Sequence, residues 1–242
     1  MKYRLFLFDL DDTLLDFKAS EKLSFVRTMR ELGLRDGVDG IFQQYQAINV
    51  ELWRRFETGA VTKDFLKVER FRKTFLANGI ELDPEAASIL YLESLPDTVV
   101  LIEGANLLCE TLSAIGEVGI ITNGVEAIQN RRIASSGLAE YISFVATSEA
   151  CGHAKPDVRF FEYAARMAKP FAKEEAIIVG DRLDADILGA NRYGIESCWF
   201  NPDRLTNASE AMPDYEVDSL QAVVPALCNP GVKSDIRTRA LL

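Results

Sequence analysis

The apolar segment 4–10 ends in three carboxylates within four positions, Asp9, Asp11 and Asp12. In an extended chain, residues two positions apart point to the same side, so Asp9 and Asp11 can converge. Their negative charges repel each other, and a bound cation would offset that repulsion. Asp12 could instead only set the turn or cap a helix. The pattern predicts a metal site built on Asp9 and Asp11.

A second acidic cluster, which contains Asp181 and Asp186, follows another apolar segment, residues 177–179. Hard oxygen ligands that are few in number and leave room for water suit Mg²⁺ better than Zn²⁺. The chain contains a single histidine, which disfavours a zinc site. We therefore expect Mg²⁺ as the cofactor.

Two further segments supply hydrogen-bond donors. Thr122 and Asn123 follow the apolar residues 118–121, and Lys155 precedes a proline. A hydroxyl with adjacent backbone N–H groups, together with an ammonium at a helix start, is what the oxygens of a phosphoryl group require. Each signal alone is typical of a turn, but four such segments in the same context favour phosphate chemistry.

Short apolar segments alternate with helical patterns along most of the chain. The predicted strands lie at residues 4–10, 118–122, 144–147, 176–179 and 197–200, and the predicted helices between them at residues 104–115, 126–136 and 157–169. This βαβ alternation predicts an α/β fold with a doubly wound, mostly parallel sheet and a Rossmann-like core. Ligands bind beyond the carboxyl ends of the strands in such sheets, where the acidic clusters are predicted to lie.

The first strand is followed by a long segment without any strand pattern. It predicts four helices with clear start and stop signals, among them Thr62, Gly79 and Asp83-Pro84. An all-helical insertion of this kind predicts a cap domain over the strand ends. The expected domains are a core of residues 1–16 and 98–228, a helical cap of residues 17–97, and a polar tail of residues 229–242 to which no function is assigned.

Composition limits the classes of partner. The chain has 242 residues, 48% of them hydrophobic, and a formal net charge of −10, which disfavours binding to a nucleic-acid backbone. Its apolar segments are much shorter than the roughly 20 residues that a membrane span requires. The four cysteines are widely spaced and no secretion signal precedes the first strand. These features predict a cytoplasmic protein that acts on a small phosphorylated metabolite.

Together, these motifs resemble the haloacid dehalogenase superfamily. Its four motifs occur in order, as DxDxT from Asp9 to Thr13, Thr122, Lys155, and GDxxxxD from Gly180 to Asp186. The helical insertion is similar to the C1 cap of that superfamily. Segments 45–53, 121–124 and 186–199 resemble the pyrimidine 5′-nucleotidase branch.

The resemblance implies a two-step phosphatase mechanism. Asp9 would attack phosphorus to form an aspartyl phosphate, while Asp11 would protonate the leaving alkoxide and later deprotonate the attacking water. Asp9, the backbone of Asp11 and Asp181 would hold Mg²⁺. Dehalogenases of this type lack an acid two residues after the nucleophile, so Asp11 favours phosphoryl transfer.

The remaining motif residues would serve the phosphate. The resemblance implies that Thr122 and the N–H of Asn123 bind phosphate oxygens, and that Lys155 pairs with the phosphate and with the nucleophile. Asp186 would orient water or Lys155 without contacting the metal. The pair Arg131-Arg132 is expected on a solvated helix face.

The leading hypothesis for the substrate is a nucleoside monophosphate. Phosphatases of sugar phosphates or of phosphoglycolate remain alternatives because the core motifs recognise only the phosphate. A phosphomutase, and a non-catalytic binding or regulatory protein, are further alternatives. Specificity would come from cap residues, the candidates being Phe17, Tyr45, Asn49 and Trp53, some of which must be packing residues because they span more than one helix face.

Overall fold

The computed structural model describes residues 1–228, which form two compact units. One unit contains residues 1–16 and 100–228, and the other contains residues 17–99. The second division lies two residues beyond the predicted one, because the hydroxyl of Thr98 bonds that of Ser24 at 2.6 Å and so belongs with the helices. The predicted tail, residues 229–242, lies outside the described residues.

The unit of residues 17–99 is built from α-helices. These are α1 (Phe17–Glu31), α2 (Val38–Glu57), α3 (Lys63–Asn78) and α4 (Pro84–Ser94), with a 3₁₀ turn at Leu95–Asp97. The predicted caps are present: the Thr62 hydroxyl accepts from the N–H of Phe65 at 3.2 Å, and Asp83 accepts from the N–H of Glu85 at 2.9 Å. Gly79 ends α3 with φ 62°, a conformation that favours glycine.

An aromatic cluster fills the interior of this helical unit. Tyr45 is fully buried, with its ring centroid 4.6 Å from that of Phe25 and 5.1 Å from that of Phe71. Such contacts bury large apolar area and fix ring orientation. The hypothesis that Tyr45 recognises the substrate is therefore corrected: its position makes it a packing residue.

A buried polar network also occupies this interior. The amide of Asn49 donates to Glu21 at 2.6 Å and accepts from Arg70 at 3.2 Å. Buried polar groups are stable only when paired in this way. The burial of Asn49 and these two contacts favour a structural role for its side chain over the predicted substrate recognition. Of the four specificity candidates, Phe17 and Trp53 keep partly exposed side chains.

The first unit is built on a parallel six-stranded sheet. Its strands are β1 (Leu5–Phe8), β2 (Glu117–Thr122), β3 (Phe144–Thr147), β4 (Ala176–Gly180), β5 (Glu196–Phe200) and β6 (Tyr215–Val217), in the spatial order β3-β2-β1-β4-β5-β6. The doubly wound α/β prediction is confirmed. β6 was not predicted, because a three-residue strand gives too short a pattern to detect.

Helices cover the sheet. They are α5 (Ala105–Ser113), α6 (Glu126–Ser136), α7 (Ser148–Cys151), α8 (Val158–Met167), α9 (Leu188–Tyr193) and α10 (Val223–Cys228). On one face, Phe160 and Phe161 of α8 pack against Leu5, Leu7 and Ile178 of the central strands. No helix within residues 1–228 is both long and apolar enough to cross a bilayer.

The strand register brings the acidic clusters to one edge. Phe8, the last residue of β1, pairs with Ile120 on one side and with Val179 on the other. The residues that follow β1, β2 and β4 therefore emerge side by side. After β4, a π-helical turn at Leu183–Ile187 returns the chain toward Gly180.

Gly180 makes this return possible. A Cβ atom at position 180 would lie 2.4 Å from Oδ2 of Asp186, whereas one at Gly40, in the exposed first turn of α2, would meet nothing within 4 Å. We expect Gly180→Ala to lower the free energy of unfolding by about 1–3 kcal/mol through overpacking. Gly40→Ala should raise it by roughly 0.5–1 kcal/mol through helix propensity. Urea unfolding of both variants checks this, and equal stabilities would contradict it.

Candidate active site

The ammonium group of Lys155 lies at the centre of the acidic edge. Its Nζ donates to Oδ1 of Asp9 at 2.6 Å, to Oδ1 of Asp186 at 2.7 Å and to the carbonyl of Ile121 at 2.8 Å. Burial alone would lower its pKa, but Asp186 and Asp9 outweigh that effect and hold the pKa above its ordinary value. Lys155 is therefore a fixed positive charge.

The Asp186 carboxylate binds the ammonium group of Lys155. Its side chain is fully buried, with Oδ1 accepting from Lys155 and Oδ2 from the backbone N–H of Arg182 at 3.1 Å. Both carboxylate oxygens are thus already engaged. This arrangement supports a positioning role for Asp186 over direct metal ligation.

The loop after β1 is tied to Asp181. It turns at Asp12, which has φ 59° and whose N–H donates to the carbonyl of Leu15 at 2.7 Å. Aspartate tolerates this left-handed conformation better than most residues. The hydroxyl of the next residue, Thr13, donates to Oδ1 of Asp181 at 3.1 Å and accepts from the Asp181 N–H at the same distance. Two strand ends are thereby locked together.

The carboxylates of the site outnumber the cations that pair with them. The acids are Asp9, Asp11, Asp181 and Asp186, and the cations in ion pairs with them are Lys155 and Arg132. Ligand atoms of Asp9, Asp181 and Asp186 lie within 4.8 Å of one another. Carboxylate oxygens at this spacing fit a divalent cation such as Mg²⁺.

The protonation of these acids reflects the same imbalance. Burial raises the pKa of Asp181, and the neighbouring Asp186 and Asp12 carboxylates add to this effect. Together they bring the pKa to about 7. Burial also raises the pKa of Asp9, an effect that Lys155 opposes and Asp186 reinforces. A bound cation would favour the ionised form of both acids.

Thr122 and Asn123 adjoin this centre at the end of β2. The Thr122 hydroxyl accepts from the Gly124 N–H and from the Gln129 amide, each at 3.0 Å. The Asn123 side chain donates to the Lys155 carbonyl at 3.2 Å and accepts from the Lys155 N–H at 2.9 Å. The sequence predicted a role only for the backbone of Asn123, but its side-chain amide also fixes the loop that carries Lys155.

Asp11 faces helix α6. Its Oδ1 accepts from Nη1 of Arg132, and its Oδ2 accepts from Nε2 of Gln129 at 2.7 Å. The prediction that Arg131-Arg132 lies on a solvated face holds for Arg131 and is wrong for Arg132, which is only 1% exposed. The missed signal is the spacing: Gln129, Arg132 and the buried Ile133 share one side of the helix.

The chain matches a known family over most of its length. The sequence model described as haloacid dehalogenase-like hydrolase covers residues 3–194. Among solved structures, the HAD-hydrolase YfnB of Bacillus subtilis, in a crystal form bound to magnesium, superposes with a TM-score of 0.87 and 34% identity, covering 95% of this chain and 100% of that one.

Several relatives carry a substrate in their names, and two of these are pyrimidine 5′-nucleotidases. The chain is 36% identical to the pyrimidine 5′-nucleotidase PynA of Streptococcus pneumoniae, over 94% of this chain and 96% of the relative. It is 30% identical to the pyrimidine 5′-nucleotidase YjjG of Escherichia coli, over 94% of this chain and 99% of the relative.

The raised pKa of Asp181 predicts a pH-dependent affinity for Mg²⁺. In the metal-free protein Asp181 is protonated below about pH 7, and it must lose that proton to ligate a metal. Apparent affinity should therefore fall as the pH drops below that value, by about tenfold per pH unit for each ligand that must lose a proton. Calorimetric titration with MgCl₂ from about pH 5.5 to pH 8.5 measures this.

Two aspartates of the same segment provide a matched comparison. Asp181→Asn should abolish the Mg²⁺-induced rise in melting temperature. Asp184→Asn should retain it, because Asp184 is exposed and pairs with Arg182 at 2.7 Å. An Mg²⁺ affinity that does not change with pH would contradict the assignment of Asp181.

Proposed function

We propose that this chain, which belongs to the haloacid dehalogenase-like hydrolase family and is a phosphatase of that superfamily, hydrolyses nucleoside 5′-monophosphates through a phosphorylated Asp9. The observation that carries the mechanism is the contact of Lys155 with Asp9 and Asp186, with Asp11 two residues beyond the nucleophile. A carboxylate held by a hydrogen bond, a fixed cation and a second acid thus lie together at the carboxyl ends of neighbouring strands.

Asp9 acts as the nucleophile in the first step. One of its carboxylate oxygens forms a bond to phosphorus, and the bond from phosphorus to the alcohol oxygen breaks. Lys155 restricts rotation of the carboxylate by donating to Oδ1 at 2.6 Å, so the group meets the ester in a fixed orientation. In the second step water attacks phosphorus and Asp9 is released.

Asp11 transfers the protons. It donates one to the departing alkoxide in the first step, and it takes one from the attacking water in the second. The same group therefore alternates between acid and base. Its contacts with Gln129 and Arg132 place it on the α6 side of the loop, separate from the buried cluster around Lys155.

Thr122 and the N–H of Asn123 hold the phosphate oxygens in this proposal. The three described acceptors of Lys155 match the three hydrogens of its ammonium group. Lys155 therefore acts mainly on the nucleophile, and a phosphate oxygen would share one of those donors. Mg²⁺, held by Asp9, Asp181 and the backbone carbonyl of Asp11, would neutralise charge on the transferring group.

The pyrimidine nucleotide assignment rests on the relatives. Two pyrimidine 5′-nucleotidases match this chain over nearly its whole length at 36% and 30% identity. Phe17 and Trp53 remain the candidates for recognising the nucleoside, because their side chains are partly exposed. Stacking on an aromatic ring is worth about 1–3 kcal/mol per base.

Asp9→Asn tests the nucleophile. An amide cannot supply the attacking anion, so we expect a folded protein whose kcat for a nucleotide falls by at least about a thousandfold. Wild-type protein quenched in acid during turnover should carry one phosphoryl group on the peptide that contains Asp9. Asp203→Asn, at an exposed site after β5, should keep wild-type activity. High activity in Asp9→Asn that is free of deamidation would exclude this mechanism.

A substrate panel tests the proposed specificity. We expect kcat/KM for UMP and dTMP to exceed that for glucose 6-phosphate and phosphoglycolate by roughly ten- to a hundredfold, the factor that stacking energy supplies. Trp53→Ala should reduce this ratio if the indole contacts the base, whereas loss of packing alone would lower all values alike. A sugar phosphate or phosphoglycolate that outperforms every nucleotide would exclude the nucleotidase assignment and leave the phosphatase mechanism intact.

A further inference from the structure

Helix α6 presents two polar residues inward. Gln129 and Arg132 lie one turn apart and are 2% and 1% exposed, while the adjacent Arg131 is exposed. Burying a guanidinium group is costly unless it is paired and hydrogen-bonded. A buried guanidinium and a buried amide on one helix face therefore require specific hydrogen-bond partners.

That partner is the Asp11 carboxylate. Arg132 Nη1 donates to Oδ1 of Asp11 and also to Oε1 of Gln129 at 2.7 Å. Gln129 Nε2 donates to Oδ2 of Asp11 at 2.7 Å. Each oxygen of the carboxylate thus accepts from a different side chain, so rotation of Asp11 would break two charge-assisted contacts at once.

The same amide reaches the phosphate-binding end of β2. Nε2 of Gln129 also donates to the hydroxyl of Thr122 at 3.0 Å. Gly124 leaves room for this approach, because a Cβ atom there would lie 2.3 Å from that nitrogen. One buried amide therefore fixes the separation between Asp11 and the hydroxyl that holds phosphate in the proposed function.

We propose that Gln129 and Arg132 are positioning residues that hold Asp11 in the orientation needed for its two proton transfers. This inference rests on the proposed function, in which Asp11 is the acid and base. Proton transfer is efficient only when the acid lies within hydrogen-bond reach of the reacting oxygen. Because a guanidinium keeps its protons in proteins, Arg132 orients Asp11 without exchanging a proton with it.

The reaction steps that slow down when Asp11 is misplaced distinguish a positioning role of Arg132 from a purely structural one. Alkyl esters such as UMP need a proton on the leaving oxygen, whereas p-nitrophenyl phosphate does not. Hydrolysis of the phosphorylated enzyme needs the base with either substrate. A misplaced Asp11 should therefore slow phosphorylation by UMP, spare phosphorylation by the aryl ester, and let the phosphorylated enzyme accumulate during aryl ester turnover.

The experiment compares Arg132→Met, Arg132→Lys and the neighbouring control Arg131→Met by steady-state and rapid-quench kinetics. For Arg132→Met we expect kcat with UMP to fall about 10- to 100-fold, part of the 10²–10⁴ that acid–base catalysis supplies. KM should change less than about threefold, and aryl phosphorylation should keep its wild-type rate. Arg132→Lys should recover part of the loss, and Arg131→Met should match the wild type.

Several outcomes would overturn the inference. An unchanged kcat for UMP in Arg132→Met would do so. Phosphorylation rates that fall equally with UMP and with the aryl ester, in proportion to the folded fraction measured by circular dichroism, would also do so because they would indicate a purely structural ion pair. Gln129→Leu provides a second variant if Arg132→Met fails to fold. Because Gln129→Leu also loses the contact with Thr122, its readout is the accumulation of phosphorylated enzyme during aryl ester turnover. Wild-type protein without phosphatase activity would instead overturn the proposed function itself.

Discussion

The ammonium group of Lys155 is the contact on which the active-site edge of the sheet depends. Three parallel strands deliver their carboxyl ends to one place, and two of them end in aspartates. Without a buried positive charge between them, the carboxylates of Asp9 and Asp186 would repel each other with no compensating attraction. Lys155 satisfies both carboxylates and the carbonyl of Ile121 together. The attraction of both carboxylates to Lys155 thereby outweighs their mutual repulsion at this end of the sheet.

Much of the surrounding structure keeps that lysine in place. The Asn123 amide binds both backbone groups of Lys155, so the loop cannot shift without losing two hydrogen bonds. The π-helical turn after β4 directs Asp186 inward, and Gly180 gives it the space to approach. A second centre, Arg132 with Gln129, performs a related task for Asp11. Lys155 thus pairs with the buried Asp9 and Asp186, and Arg132 pairs with the partly exposed Asp11.

The sequence predicted the parts of the site that follow from local pattern. A buried strand that ends in acids gives a strong signal. The ends of β2 and β4 lie within one residue of the predicted ones, and β1 ends two residues earlier than predicted. Contacts between distant segments give no such signal. Arg132 and Asp11 are 121 positions apart, so the sequence pattern of the helix predicted a solvated side chain for Arg132, which is buried. Tyr45 and Asn49 show the converse limit, since helical spacing does not reveal which side of a helix the neighbouring helices cover.

The chain leaves the first unit and returns to it at two segments that are hydrogen-bonded to each other. The N–H of Asp16 donates to the carbonyl of Val100 at 2.9 Å, and Leu15 pairs in antiparallel fashion with Leu101. The two ends of the insertion are thus held together by the first unit itself, and the cost of closing the inserted loop does not depend on the helices. Changes in the length or sequence of residues 17–99 therefore need not open this junction. Such a junction lets the inserted unit diversify while the strands of the first unit keep their register.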